Sequence, residues 1–382
     1  ERFNQELEKP AARIRLRLNS IRMMQLCLGD IRITPMRPDV YAGYTANAAK
    51  EVPEKMRLEA AKKLTEAFPT NDEENNREIA RTVGMLEVTG PHEKELVEKL
   101  AKRVSVTRPV TDDIHYLIVM SRLGGERCNE VTQRTAAALA FLHVKLIIDE
   151  RYPSRNWPLR VGETFVELCK RDSRLAEALA THRDFGLPQH AMFAELMPEK
   201  ERKLAARKML ARAKRKDDEE AGWTPAMVRL IAELDDEEEL KEIRRLGWDY
   251  NLRDAVVAAL AANPQPQDKE LYLAALSSTD SRTVARSAKA LAGIGGKATP
   301  AEIAKLVSAL RDQCADENNS EARQTLAKSL NALTGEKIAA EEKKDAPALE
   351  QYQGWFDWFA KTHPLEAKKL NALSADGADF AQ

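Results

Sequence analysis

Aromatic residues make up only 5% of this 382-residue chain, so its core must close mainly through aliphatic side chains. Glycine and proline are also few, at 16 and 17 residues, which argues against a sheet protein built on many tight turns. No charge of one sign prevails. Sixty basic and 61 acidic residues leave a formal charge of −1, so there is no global field to hold nucleic acid or an anionic membrane. The four cysteines, at 27, 128, 169 and 314, lack the short spacings that ligate a metal or attach haem. Cys169 and Cys314 fall on apolar stripes and read as small core residues. No apolar run approaches the roughly 18–20 residues of a membrane span, so no transmembrane segment is expected. An N-terminal signal pattern is absent too. The chain opens at Glu1 without an initiator Met and reads as a processed or excised segment. Phosphate loops, dinucleotide turns and nucleophile elbows are missing. The expectation is no catalytic, cofactor-binding or metal-binding residue within the chain.

What is present is helix-forming sequence rich in Ala, Leu, Glu, Lys and Arg, which predicts an all-α fold. Residues 282–296 (RTVARSAKALAGIGG) recur at an offset of 39 as 321–335 (EARQTLAKSLNALTG), with Ala288 on Ala327, Leu291 on Leu330 and Gly296 on Gly335. A helix pair repeated at this period is the mark of an α-solenoid. The predicted organisation is an irregular helical repeat region over 1–250 and regular repeats over 251–335. A charged linker, an aromatic capping helix and a flexible tail follow over 336–382. Upstream, apolar stripes predict a first helix over 8–29, facing inward through Ile14, Leu18, Ile21 and Leu28. A Thr/Asp cluster caps a helix over 111–122, and single helices run over 128–148 and 190–216.

Few constellations suggest chemistry. His92-Glu93 begins like a zinc-protease helix, but Leu96 stands where the second imidazole is needed. Asp112 and His115 are three apart and could touch on one helical face. His143, between Leu139, Leu142 and Leu146, reads as a hydrogen-bonded core histidine. Residues 200–216 carry nine Lys/Arg against one Glu. Lys208, Arg212 and Arg215 there are candidates for a phosphate-binding or acidic-partner stripe, against the plainer reading of a solvated face. In the last helix Tyr352, Trp355, Phe356 and Phe359 follow i, i+3, i+4, i+7 and should cap the preceding repeat. Trp358 falls off that stripe. Trp355 and Trp358 are candidate partner-binding aromatics.

Two resemblances follow from these strings. Residues 268–296 and 300–335, with Asp280 in the turn and V-x-x-x-A-x-x-L-x-x-I-G in the second helix, resemble HEAT-type repeats. This implies an α-solenoid of helical hairpins and says little about function. The strings TDDIHYLIVMSRL (111–123), RNWPLR (155–160) and GWFDWFAKTHP (354–364) are similar to helical middle regions of large Planctomycetes-type membrane-bound dehydrogenases. That resemblance implies an exported or periplasmic location, with a propeller domain and a c-type haem domain outside this chain. The expected function is a non-catalytic scaffold for protein or interdomain contacts within a larger protein. The alternatives are an accessory module of an exported haem-containing dehydrogenase, and a HEAT-like nucleic-acid binder or DNA glycosylase.

Overall fold

A computed structural model describes residues 10–29, 40–87, 90–104, 107–215, 222–338 and 346–370. The described residues are all-helical, without a strand. The predicted tail over 373–382 and most of the charged linker lie outside them. The chain divides into two compact units, residues 1–222 and 223–382.

Unit 1 contains α1 (Pro10–Cys27), α2 (Glu54–Ala67), α3 (Glu73–Leu86), α4 (Pro91–Ala101), α5 (Val110–Arg122), α6 (Asn129–Ile148), α7 (Trp157–Arg171), α8 (Leu175–Thr181), α9 (Ala191–Ala194) and α10 (Glu199–Ala213). Contacts skip one helix at a time. Helices α1, α3, α5, α7 and α9 pack in one row, and α2, α4, α6, α8 and α10 in another. Each row buries the apolar stripe of its helices. Ile79 and Val83 of α3, Leu117 and Met120 of α5, and Phe165 and Leu168 of α7 are all interior.

Polar side chains bind these helices together as well. Lys145 of α6 and Asp113 of α5 form a fully buried ion pair. The buried Arg127 guanidinium gathers the carbonyls of Met120 and Leu123 at 2.9 and 2.7 Å, and bonds Gly124 and Gly125 as well. It thereby satisfies acceptors that the end of α5 leaves open. Glu93 accepts backbone N–H groups from Gly90 and Gly124. The one carboxylate thus fastens the start of α4 to the loop after α5.

Unit 2 contains α11 (Pro225–Ala232), α12 (Glu237–Leu246), α13 (Arg253–Leu260), α14 (Lys269–Ala275), α15 (Ser281–Ile294), α16 (Pro300–Gln313), α17 (Ser320–Thr334), α18 (Ala348–Gln351) and α19 (Gln353–Thr362). Here α11, α13, α15 and α17 form the continuous row, while α12, α14 and α16 each pack on the helix that follows. The starts are capped by sequence: Thr224, Asp236, Asp280 and Thr299 each accept a backbone N–H of the following first turn. Thr299 and Glu302 complete a reciprocal capping box. Gly335 ends α17 in the left-handed conformation, φ 80°. Arg323 repeats the device of Arg127, buried and bonded to the carbonyls of Gln313, Asp316 and Glu317.

Several local expectations need correction. Ile14 shares the inward face of Leu18, Ile21 and Gln25, but near the start of α1 it stays 43% exposed, and burial is left to Leu18, Ile21, Gln25 and Leu28. Pro109, not the Thr/Asp cluster, occupies the N-cap of α5, and Asp112 and Asp113 lie in its first turn. The span 190–216 is not one helix: it breaks between Ala194 and Glu199 around Pro198. One run does reach membrane-spanning length and apolarity by composition alone. It is α6, 20 residues long. In the fold it packs against α4, α5 and α8, and its Lys145 is inside.

Candidate functional site

The basic helix α10 turns much of its charge toward its own unit. The Lys208 ammonium donates to the Thr181 carbonyl and the Arg212 guanidinium to the Asp184 carbonyl, each at 3.0 Å. Both serve the C-terminal end of α8, where cations are favoured. Burial holds the Lys208 amine below its ordinary range. Arg215 is exposed beyond the end of α10. Trp355 has no exposed surface, so a partner cannot reach it. It is held on α16 with Phe356, over which the Arg311 guanidinium sits at 5.3 Å. Trp358 is half-buried, edge-on to Trp355 at 5.4 Å and to His363 at 5.6 Å.

The histidines are structural. His115 Nε2 donates to the Arg77 carbonyl at 2.9 Å, leaving Nδ1 to accept the Tyr44 hydroxyl at 2.8 Å. Asp112 does not share these bonds; it pairs with Arg77 at 2.9 Å. Burial pushes the His115 imidazole down to about 4. The core histidine is His190, not His143, which is half-buried. His190 Nδ1 accepts from Gly186 and Leu187 N–H, and Nε2 donates to the Ala140 carbonyl. Burial pushes it down to about 4 as well. Cys169 and Cys314 are half-buried rather than interior, and burial pushes the Cys169 thiol up to about 12.

A groove of about 560 Å³ lies in unit 1, between α7 and the segment 192–196. The core stripe of α7 is Val161, Phe165 and Leu168. The groove uses a second stripe, Leu159, Gly162 and Val166, on another face of the same helix. Met192 and Leu196 form the opposite wall, and Tyr41 closes one end. Leu159 is 57% exposed and Leu196 47%. Glu163 and Glu167, one turn apart on α7, line one side and Glu195 the other, and among the described residues no Lys or Arg lines it. Glu163 is oriented by Arg160 at 2.9 Å and accepts the Val40 N–H at 3.2 Å. Glu167 pairs with Lys170 at 2.5 Å, well out in solvent. Gly162 is what lets the walls approach, since a Cβ there would stand 2.8 Å from Leu196 Cδ1.

No protein-family model, curated protein or solved structure matches the chain. The class of molecule is given by its fold alone, all-helical and like a helical repeat.

Proposed function

We propose that the chain is a non-catalytic α-solenoid scaffold whose helical hairpins present surfaces to other proteins. The observation that carries this reading is the packing order, in which helices contact their second neighbours in continuous rows. A linear repeat array requires this order, and a single central core does not. Lys208 and Arg212 are bonded to carbonyls of their own unit, which favours protein contacts over a phosphate-binding stripe. The strings that resemble the Planctomycetes-type dehydrogenases lie in and beside α5, at the start of α7 and in and beside α19; the first and last pack helices through Tyr116, Leu117, Trp355 and Phe359, while 155–160 is largely exposed. In such a protein this chain would hold redox domains in place.

The test is the range over which a cavity is felt. Leu330→Ala in α17 should cost about 2–5 kcal/mol. Hydrogen exchange should then accelerate in α15, α16 and α17 and stay unchanged in α1 to α5. Uniform acceleration along the whole chain would overturn the scaffold reading.

A further inference from the structure

We infer that the outward stripes of α15 and α17 form a cationic face that receives an extended Asp/Glu-rich segment of another protein. The inference rests on the scaffold reading and names, within it, one surface and the chemistry of its partner. On α15 the exposed residues are Arg282, Arg286, Lys289 and Gly293. Their spacing, i, i+4, i+7 and i+11, sets them on one line of the helix. The offset of 39 carries that line onto Glu321, Thr325, Lys328 and Ala332 of α17. Of these, Thr325 is half-buried and the other three are exposed. Helices α15 and α17 pack side by side in one row, and α15 buries its opposite side against α14. The two stripes therefore adjoin, at the roughly 8–10 Å spacing of packed helices.

The fold does not use these charges. Arg286, Lys289 and Lys328 form no hydrogen bond or ion pair with a described residue. Arg282 reaches Asp280 at 3.2 Å and is still largely exposed. By contrast, every Lys and Arg of α12 has a carboxylate partner: Lys241 with Glu238, Arg244 with Glu237 and Asp268, and Arg245 with Glu242. Arg282, Arg286 and Lys289 set like charges one turn apart, which weakens a helix. Lys328 adds another cation from the neighbouring helix. Carboxylates of a partner settling among these cations would offset that repulsion.

The chemistry of the face selects a polypeptide. Beside the cations lie Ala285, Ala292, Gly293 and Ala332, so a main chain can approach closely. In an extended segment every second side chain points the same way, about 6.5 Å apart. The long Arg and Lys side chains can meet carboxylates at that spacing on both helices. Nucleic acid fits less well. Neither helix carries an aromatic residue on which a base could stack, and a continuous phosphate track would meet the Glu321 carboxylate.

The experiment uses the full chain and a fluorescein-labelled oligo-glutamate peptide, followed by fluorescence anisotropy. The peptide should bind, more weakly as salt rises, and an oligo-glutamine peptide of equal length should not. Arg286→Glu/Lys289→Glu should weaken binding by roughly tenfold or more, and Lys328→Glu by about threefold or more. Lys305→Glu/Lys361→Glu is the charge control, since Lys305 on α16 and Lys361 on α19 are exposed and lie off the two stripes. It changes the net charge as much as the first variant and should bind like the unaltered chain. Arg286→Glu alone places a carboxylate one turn from Arg282 and Lys289, so the melting temperature should hold or rise while binding falls. Failure of the oligo-glutamate peptide to bind would overturn the inference, and so would an equal loss in the charge control. Tighter binding of an oligothymidylate of equal charge would overturn it too, by making the face a phosphate site. None of these results alters the exchange range expected of Leu330→Ala, so the two readings fail separately.

Discussion

Unit 1 and unit 2 are both all-helical, yet their helices are fixed by different means. Unit 2 starts its helices with side-chain caps at Thr224, Asp236, Asp280 and Thr299. Its continuous row is packed through small and aliphatic residues such as Ala288, Leu291, Leu326 and Leu330. Unit 1 has a side-chain cap at Asp72, while prolines stand at the N-caps of α2, α5 and α10. It adds polar tethers in its interior, Lys145–Asp113, His115 and His190, while its buried Arg127 has a counterpart in Arg323 of unit 2. Regular hairpins can therefore be specified locally, whereas irregular ones need long-range bonds that fix each helix against a particular neighbour. The cost is that unit 1 depends on groups whose protonation or loss is felt throughout a row.

The sharpest way to break this comparison is Asp113→Ala, which removes the carboxylate paired with the buried Lys145 ammonium. It should destabilise unit 1 by about 3–5 kcal/mol, measured by urea unfolding with hydrogen exchange to locate the loss. The double replacement Asp113→Leu/Lys145→Met should recover most of that, since an apolar pair carries no desolvation cost. If the double variant is as unstable as the single one, the tether fixes geometry rather than balancing charge.

Acid should separate the units next. His115 and His190 are held at about 4 by burial, against an ordinary value near 6.5. Between those values the unfolded chain binds more protons than the folded one, so stability rises with pH across the window. Their contribution is complete above about pH 6.5, declines as pH falls, and is flat below about 4. His190, being interior, should account for up to about 3 kcal/mol of that loss. In unit 2 burial raises Glu302, but its bonds to Lys269 and Thr299 outweigh this and hold it below its usual range. Its contribution is lost only as pH falls below the ordinary carboxylate value of about 4.3. Proteolysis at pH 5 should therefore open unit 1 first. Equal cleavage of both units at that pH would end the distinction.

The smallest effect belongs to the caps. Thr299→Ala should cost about 1 kcal/mol, confined to α16 and its neighbours, by the same exchange measurement.

The sequence showed unit 2 more clearly than unit 1 for the same physical reason. In α15 and α17 the pattern Ala288, Leu291 and Ala327, Leu330 is local, and the caps lie within four residues of the helices they start. The break around Pro198 was hidden because Leu196 and Met197 carry the apolar pattern across it. His143 drew attention because it interrupts an apolar stripe. His190 gave no such signal, since its three partners lie in a loop and on a different helix. The groove draws on residue 41, on α7 and on residues 192–196, so no single window displays it. The one available clue was the double stripe of α7, Val161–Phe165–Leu168 beside Leu159–Gly162–Val166.

Of the five tryptophans in the chain, only Trp157 lies in unit 1. It is the first residue of α7, next to Pro158 and Leu159 at the groove, and its indole N–H is buried without a hydrogen-bond partner among the described residues. With Trp223, Trp248, Trp355 and Trp358 replaced by phenylalanine, the molecule would carry a single fluorophore beside the groove. Its emission colour and quenching would then report on that surface without any added label.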